Sequence, residues 1–144
     1  MRKGRRWLAA MALVLLAAGC GPAEEPGPTP SPEGPLIRGL AAVDSVQLLI
    51  RESFPVQVSV RILGNLPDGC TRLDRVTQER QGNTITVTVS TARPEDLLCT
   101  EALVPFDKTV DLDVLGLKAG DYTVTVNGVS AAFTLSADNV LPAG

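Results

Sequence analysis

The chain has 144 residues, room for one domain of ordinary size, and carries 13 Lys and Arg against 16 Asp and Glu for a formal charge of -3. It contains no histidine, which excludes Ser-His-Asp and Cys-His catalysis and every metal site built on imidazole. The mild acidic balance argues against nucleic acid as a partner, because that binding rests on clustered Lys and Arg.

The first element is a leader. Met1-Arg2-Lys3-Gly4-Arg5-Arg6 carries four positive charges and no acid, and the apolar run Trp7 to Ala18 follows before Gly19-Cys20. A basic start, a short apolar run and small residues before a break make a secretory signal peptide over 1–19. The run has 12 residues, too few to span a bilayer, which takes about 20.

Leu16-Ala17-Ala18-Gly19-Cys20 resembles the lipobox of bacterial lipoproteins, with Leu16 one place earlier than the family's usual leucine. The resemblance implies cleavage before Cys20, acylation of that cysteine, and a location in the bacterial cell envelope, membrane-anchored and extracytoplasmic. Two or more acyl chains anchor a protein stably where one does so marginally. Loss of the leader leaves 9 basic against 16 acidic residues, a charge of -7, and removes Trp7, the sole tryptophan.

A linker over residues 20–35 follows. Six of the fifteen residues from Gly21 to Pro35 are proline and none is strongly hydrophobic. Such a stretch cannot bury enough apolar area to offset its ordering. In polyproline II geometry it reaches roughly 45 Å. A tether that holds the domain clear of the membrane is the expected role, with docking of Pro28-Thr29-Pro30-Ser31-Pro32 to a proline-binding partner as the alternative.

Residues 36–144 read as one all-β domain. Ser45 to Glu52 alternates, and Phe54 to Leu63 sets Val56, Val58, Val60 and Ile62 against Gln57, Ser59 and Arg61. Thr71 to Arg80 and Thr84 to Thr91 flank the turn Gln81-Gly82-Asn83 and read as a hairpin. Pro94 to Leu98 suits one helical turn. Thr109 to Val114 alternates again, and Asn127-Gly128 joins Tyr122–Val126 to Val129–Leu135 as a two-residue hairpin. About seven short strands without a long helix predict an antiparallel β-sandwich, with an up-and-down barrel as runner-up.

Leu115-Gly116-Leu117, a glycine and then Tyr122 opening a Val-x-Val strand resemble the tyrosine corner of immunoglobulin-like and fibronectin-like sandwiches. The resemblance implies that the Tyr122 hydroxyl bonds back to nearby backbone. Asn65 to Thr71 and Gly120 to Gly128 are together similar to loops of bacterial lipoprotein domains without an assigned activity. That likeness implies fold and location and no chemistry.

With Cys20 assigned to the anchor, Cys70 and Cys99 remain. Export places them where disulfides persist, and no Cys-x-x-Cys redox motif is present, so a structural bridge is expected. Asn65, Leu66, Pro67, Asp68 and Gly69 form a turn-rich candidate binding loop beside that bridge. Arg61, Arg72, Arg75 and Arg80, on strands expected to be adjacent, form a candidate anion-binding face.

Asp107, Asp111 and Asp113 invite a calcium reading but lack EF-hand spacing and alternate with valines and a leucine. Glu95, Asp96 and Glu101 are the acids available to a carboxylate hydrolase. The expectation is therefore a non-enzymatic lipoprotein module without metal or cofactor. It would be held at the membrane through Cys20 and bind an unidentified protein or envelope polymer. An immunoglobulin-like protease inhibitor is the first alternative and a carboxylate-dependent hydrolase the second.

Overall fold

The alternation that begins after Pro35 closes into two packed sheets in a computed structural model, which describes residues 34–143. The leader 1–19, Cys20 and most of the 20–35 linker lie outside the described residues. Eight strands follow: β1 (Leu36–Leu40), β2 (Ala42–Arg51), β3 (Gln57–Leu66), β4 (Arg72–Gln81), β5 (Thr84–Pro94), β6 (Val104–Asp111), β7 (Gly120–Val126) and β8 (Val129–Leu135). The molecule is an all-β sandwich.

One sheet runs β2-β3-β6, antiparallel throughout. In the other, β5 is the hub. β4 lies along one of its edges, while β7 takes Thr84–Val87 and β1 takes Ser90–Pro94 on the opposite edge. β8 extends this sheet beyond β7.

Three features depart from the sequence expectation. The chain starts its strands earlier, because β1 pairs with β5 before crossing to the other sheet. That crossing occurs at buried Ala41, whose amide donates to the Val89 carbonyl at 2.9 Å. The β5–β7 pair is parallel: the chain passes through the opposite sheet as β6 and returns in the same direction. Pro94 to Leu98 makes no helical turn. Pro94 pairs with Leu36 instead, and the Glu95 amide donates to the Pro35 carbonyl at 3.0 Å, so the sheet ladder prevails over a short helical turn.

The pleat then sorts the side chains. Val58, Val60 and Ile62 of β3 face Ile85, Val87 and Val89 of β5 and Val124 and Val126 of β7, and all are buried. Each contributes about 1.5–3 kcal/mol of burial. Leu112, Val114 and Leu117, in the segment after β6, close the core at one end. Tyr122 is buried there with its ring stacked on Phe133 at 5.5 Å, and its hydroxyl donates to the Lys118 carbonyl at 2.9 Å.

This register gives the sandwich two distinct ends. At the entry end, Pro35 meets Glu95, and the loops 67–71 and 95–103 meet each other. At the far end, the β2–β3 turn around Phe54 and the 114–117 segment are joined by Asn139.

Candidate functional site

The entry end carries the candidate loop. Cys70 and Cys99 are joined by a disulfide with Cα atoms 5.5 Å apart, inside the normal range for such bridges. Beside it, the Gly69 amide donates to the Thr100 carbonyl at 3.1 Å. A Cβ at Gly69 would stand 2.3 Å from Thr100 Oγ1, so a larger residue there would require the Thr100 side chain to turn away.

Asp68 is the electrostatic centre of the loop. It is only 7% exposed, and its Oδ1 accepts the Cys70 amide, the Thr71 amide and the Thr71 hydroxyl at 2.7–2.9 Å. Arg93 Nη1 donates to Oδ2 at 3.1 Å. Desolvation pushes the carboxyl up, but the Thr71 hydroxyl, the two amides and the Arg93 charge together hold it below its usual value. The carboxylate is therefore committed to shaping the loop.

The remaining candidate loop residues divide. Asn65 lies within β3, and its Nδ2 donates to Asp44 at 2.6 Å. Leu66 is buried, whereas Pro67 and Gly69 are exposed. Asp68, Cys70 and Cys99 bring a carboxylate and two sulfurs within metal-ligand distance of one another. The sulfurs are bonded together and the carboxylate faces Arg93, so the cluster offers no thiolates to a cation.

The candidate arginine face does not form. Arg61 lies on β3 in the β2-β3-β6 sheet and ion-pairs with Asp107 at 2.5 Å. Arg72, Arg75 and Arg80 lie on β4, at the edge of the other sheet. The two strands are consecutive in the sequence, but the chain changes sheets between them, so adjacency in sequence misleads here. The Arg61 guanidinium also holds the Asp107 carboxyl below its usual range.

The acids of the calcium reading are likewise distributed. Asp107 is taken by Arg61, Asp111 accepts the Ser59 hydroxyl at 2.6 Å, and Asp113 is exposed. Gln78 of β4 ties this stretch to the opposite sheet. Its Nε2 donates to the Asp111 carbonyl at 2.7 Å, and its Oε1 accepts the Asp113 amide at 3.2 Å. Glu95, Asp96 and Glu101 sit exposed on the 95–103 loop.

The feature that sequence reasoning missed is on that same loop. Leu98 is fully exposed, Leu103 is 70% exposed, Leu97 53% and Val104 38%. Leu97 also lines a cleft of about 430 Å³ with Gly69, Cys70, Arg72 and Pro94. At the far end a cleft of about 250 Å³ lies between Pro55–Val58 and Asp111–Leu115. Adjacent leucines broken by acids show no period of two or of 3.6, so no pattern marked the loop as a surface.

Comparison with known proteins adds the following. The model of a family described as the ORF11 beta-sandwich domain matches residues 60–135. An uncharacterised 10.2 kDa protein from the HgiCIIM 5′ region of Herpetosiphon aurantiacus is 42% identical over 93 residues, covering 65% of this chain and 98% of the relative. Two similar 10.2 kDa proteins from the HgiBIM and HgiEIM 5′ regions of that organism are 45% identical over 83 residues, 58% of this chain and the whole of each relative. No solved structure matches.

Proposed function

The chain belongs to the ORF11 β-sandwich domain family, and from that premise we propose that it is an extracytoplasmic lipoprotein whose sandwich is a binding module rather than an enzyme. The observation that carries this reading is the Cys70–Cys99 disulfide. Bridges of this kind persist in exported proteins, and the basic, apolar leader that precedes Cys20 would supply the route out.

With two cysteines in the bridge, the third stands at the place where lipoproteins are acylated. The proline-rich linker then separates anchor from sandwich. Asp68 with Arg93, Asp107 with Arg61, and Asp138 with Lys118 are engaged in holding loops and strands together. The work of such a module lies in the surfaces its tether leaves free, toward a protein or an envelope polymer.

Fractionation of cells expressing the full chain tests this. The wild type is expected in the membrane fraction and Cys20→Ser in the soluble or uncleaved-precursor fraction, with Cys70 and Cys99 oxidised in both. A wild-type chain found soluble in the cytosol with free thiols overturns the reading.

A further inference from the structure

We propose that the turn Asn127-Gly128 is a site of spontaneous deamidation gated by the fold. While β5 and β7 stay closed, the Asn127 carboxamide is withheld from reaction. Once they open, it reacts, and the product keeps them apart.

The chemistry needs only water. Asparagine followed by glycine is the pair most open to this reaction, because no Cβ shields the glycine amide. The Gly128 nitrogen attacks Asn127 Cγ and forms a new N–Cγ bond. The Cγ–Nδ2 bond breaks, and Nδ2 leaves as ammonia with the proton that the Gly128 nitrogen gives up. Water then opens the imide ring to aspartate or isoaspartate, and nothing is oxidised or reduced. The chain has four asparagines, Asn65, Asn83, Asn127 and Asn139, and only Asn127 precedes a glycine.

The closed fold holds every group the reaction must move. Asn127 and Gly128 adopt φ of 45° and 97°, the left-handed pair of a two-residue hairpin turn. The Asn127 carboxamide reaches from the end of β7 to β5 and to the point where β1 gives way to β2. Its Oδ1 accepts the Val89 amide at 3.0 Å. Its Nδ2 donates one proton to the Ala41 carbonyl at 2.9 Å and the other to the Val89 carbonyl at 2.8 Å. Three hydrogen bonds must break before Cγ can turn to the Gly128 nitrogen, and the nitrogen that has to leave is held by two of them. Gly128 itself is exposed, so the hold on Asn127 is the barrier, not the access of water.

The product cannot restore that hold. An ionised carboxylate accepts hydrogen bonds and donates none. One of its oxygens can still take the Val89 amide, but the other would face the Ala41 and Val89 carbonyls with no proton between them. The Ala41 amide shares the same Val89 carbonyl at 2.9 Å, so the disturbance falls on the crossing from β1 to β2. Ammonia is lost, so the step runs one way. A chain that has opened is marked and held open, and a chain that has stayed closed is left unmarked.

The experiment follows the full-length, disulfide-bonded chain in mildly alkaline buffer from no urea to complete unfolding. Peptide mass spectrometry reads conversion at residue 127 by the mass gained when an amide becomes an acid, and NMR hydrogen exchange reads the Ala41 and Val89 amides. Without urea, conversion is expected to be at least about tenfold slower than in the unfolded chain, as a reaction that waits on local opening requires. As urea rises, conversion and exchange of the Val89 amide should increase in step. Asn127→Gly, which suits the same turn, should show no conversion in this peptide. Asn127→Asp should speed exchange of the Ala41 amide, or fail to fold where Asn127→Gly folds.

Conversion as fast in the closed chain as in the unfolded one overturns the gate, as does conversion that proceeds while the Val89 amide stays protected. A mass gain that persists in Asn127→Gly overturns the site. An Asn127→Asp chain whose Ala41 amide exchanges no faster than in the wild type overturns the one-way consequence. The rate comparison uses the wild type alone, so it decides whether or not a variant folds.

Discussion

Two asparagines, Asn139 buried and Asn127 half-buried, close the gaps that the strands leave. Asn139 is 1% exposed; its Oδ1 accepts the Val56 amide, and its Nδ2 donates to the Val56 and Val114 carbonyls, all at 2.7–2.9 Å. Asn127 does the same where β7 ends beside β1, accepting from the Val89 amide and donating to the Ala41 and Val89 carbonyls. Truncating either strands buried backbone groups without partners. Asn139→Ala is expected to lower unfolding stability by about 2–3 kcal/mol in urea titrations, and a loss under about 0.5 kcal/mol contradicts the assignment. Asp68 sets a pH dependence. Its folded pKa lies below the unfolded carboxylate value of about 3.9, so its stabilisation is present above that value and is lost as pH falls through the folded pKa. Asp68→Asn should flatten the acid limb of the stability profile, and an unchanged limb counts against the loop geometry.

The bridge and the tyrosine corner act at the scale of elements. The Cys70–Cys99 bridge spans a sequence separation of 29, worth about 3–4 kcal/mol on the chain-entropy account. The double variant Cys70→Ser, Cys99→Ser is expected to lose that much and to expose the 95–103 loop to proteolysis. Unchanged stability and resistance refute it. Tyr122→Phe keeps the ring on Phe133 and removes only the bond to the Lys118 carbonyl, so a loss of about 0.5–1.5 kcal/mol in the same titration is expected. The strands themselves were legible because period-two alternation places Val58, Val60 and Ile62 inward whatever their neighbours are. The hairpin at Gly82 and the turn at Asn127-Gly128 were legible because the turn residues sit in positive φ, as local chemistry requires. Strand pairing was not. Alternation reads alike in either sheet, so Arg61 and Arg72 looked like neighbours while lying in different sheets. The strand end at Leu66 was hidden by Gly64, which interrupts the apolar pattern. It is needed there, because a Cβ would stand 2.7 Å from the Phe106 ring.

At the scale of the whole molecule, the described residues form a sandwich whose entry end carries both a disulfide and exposed leucines. The leader and linker expectations rest on extreme composition and fall outside the described residues. The exposed leucines were not legible in the sequence, because exposure is a property of the fold: Leu97 and Leu98 lie outward only because β5 continues to Pro94 and the bridge fixes the turn that follows. The candidate loop was located by its turn residues, yet its acid proved structural, since Arg93 lies too far along the chain for any local pattern to pair them. Mass spectrometry of the mature chain, digested without reduction, tests the account most directly. The expected result is an N-terminus at Cys20 bearing acyl chains, together with a peptide pair joined through Cys70 and Cys99. An unmodified Cys20, or a chain still beginning at Met1 when mature, contradicts it.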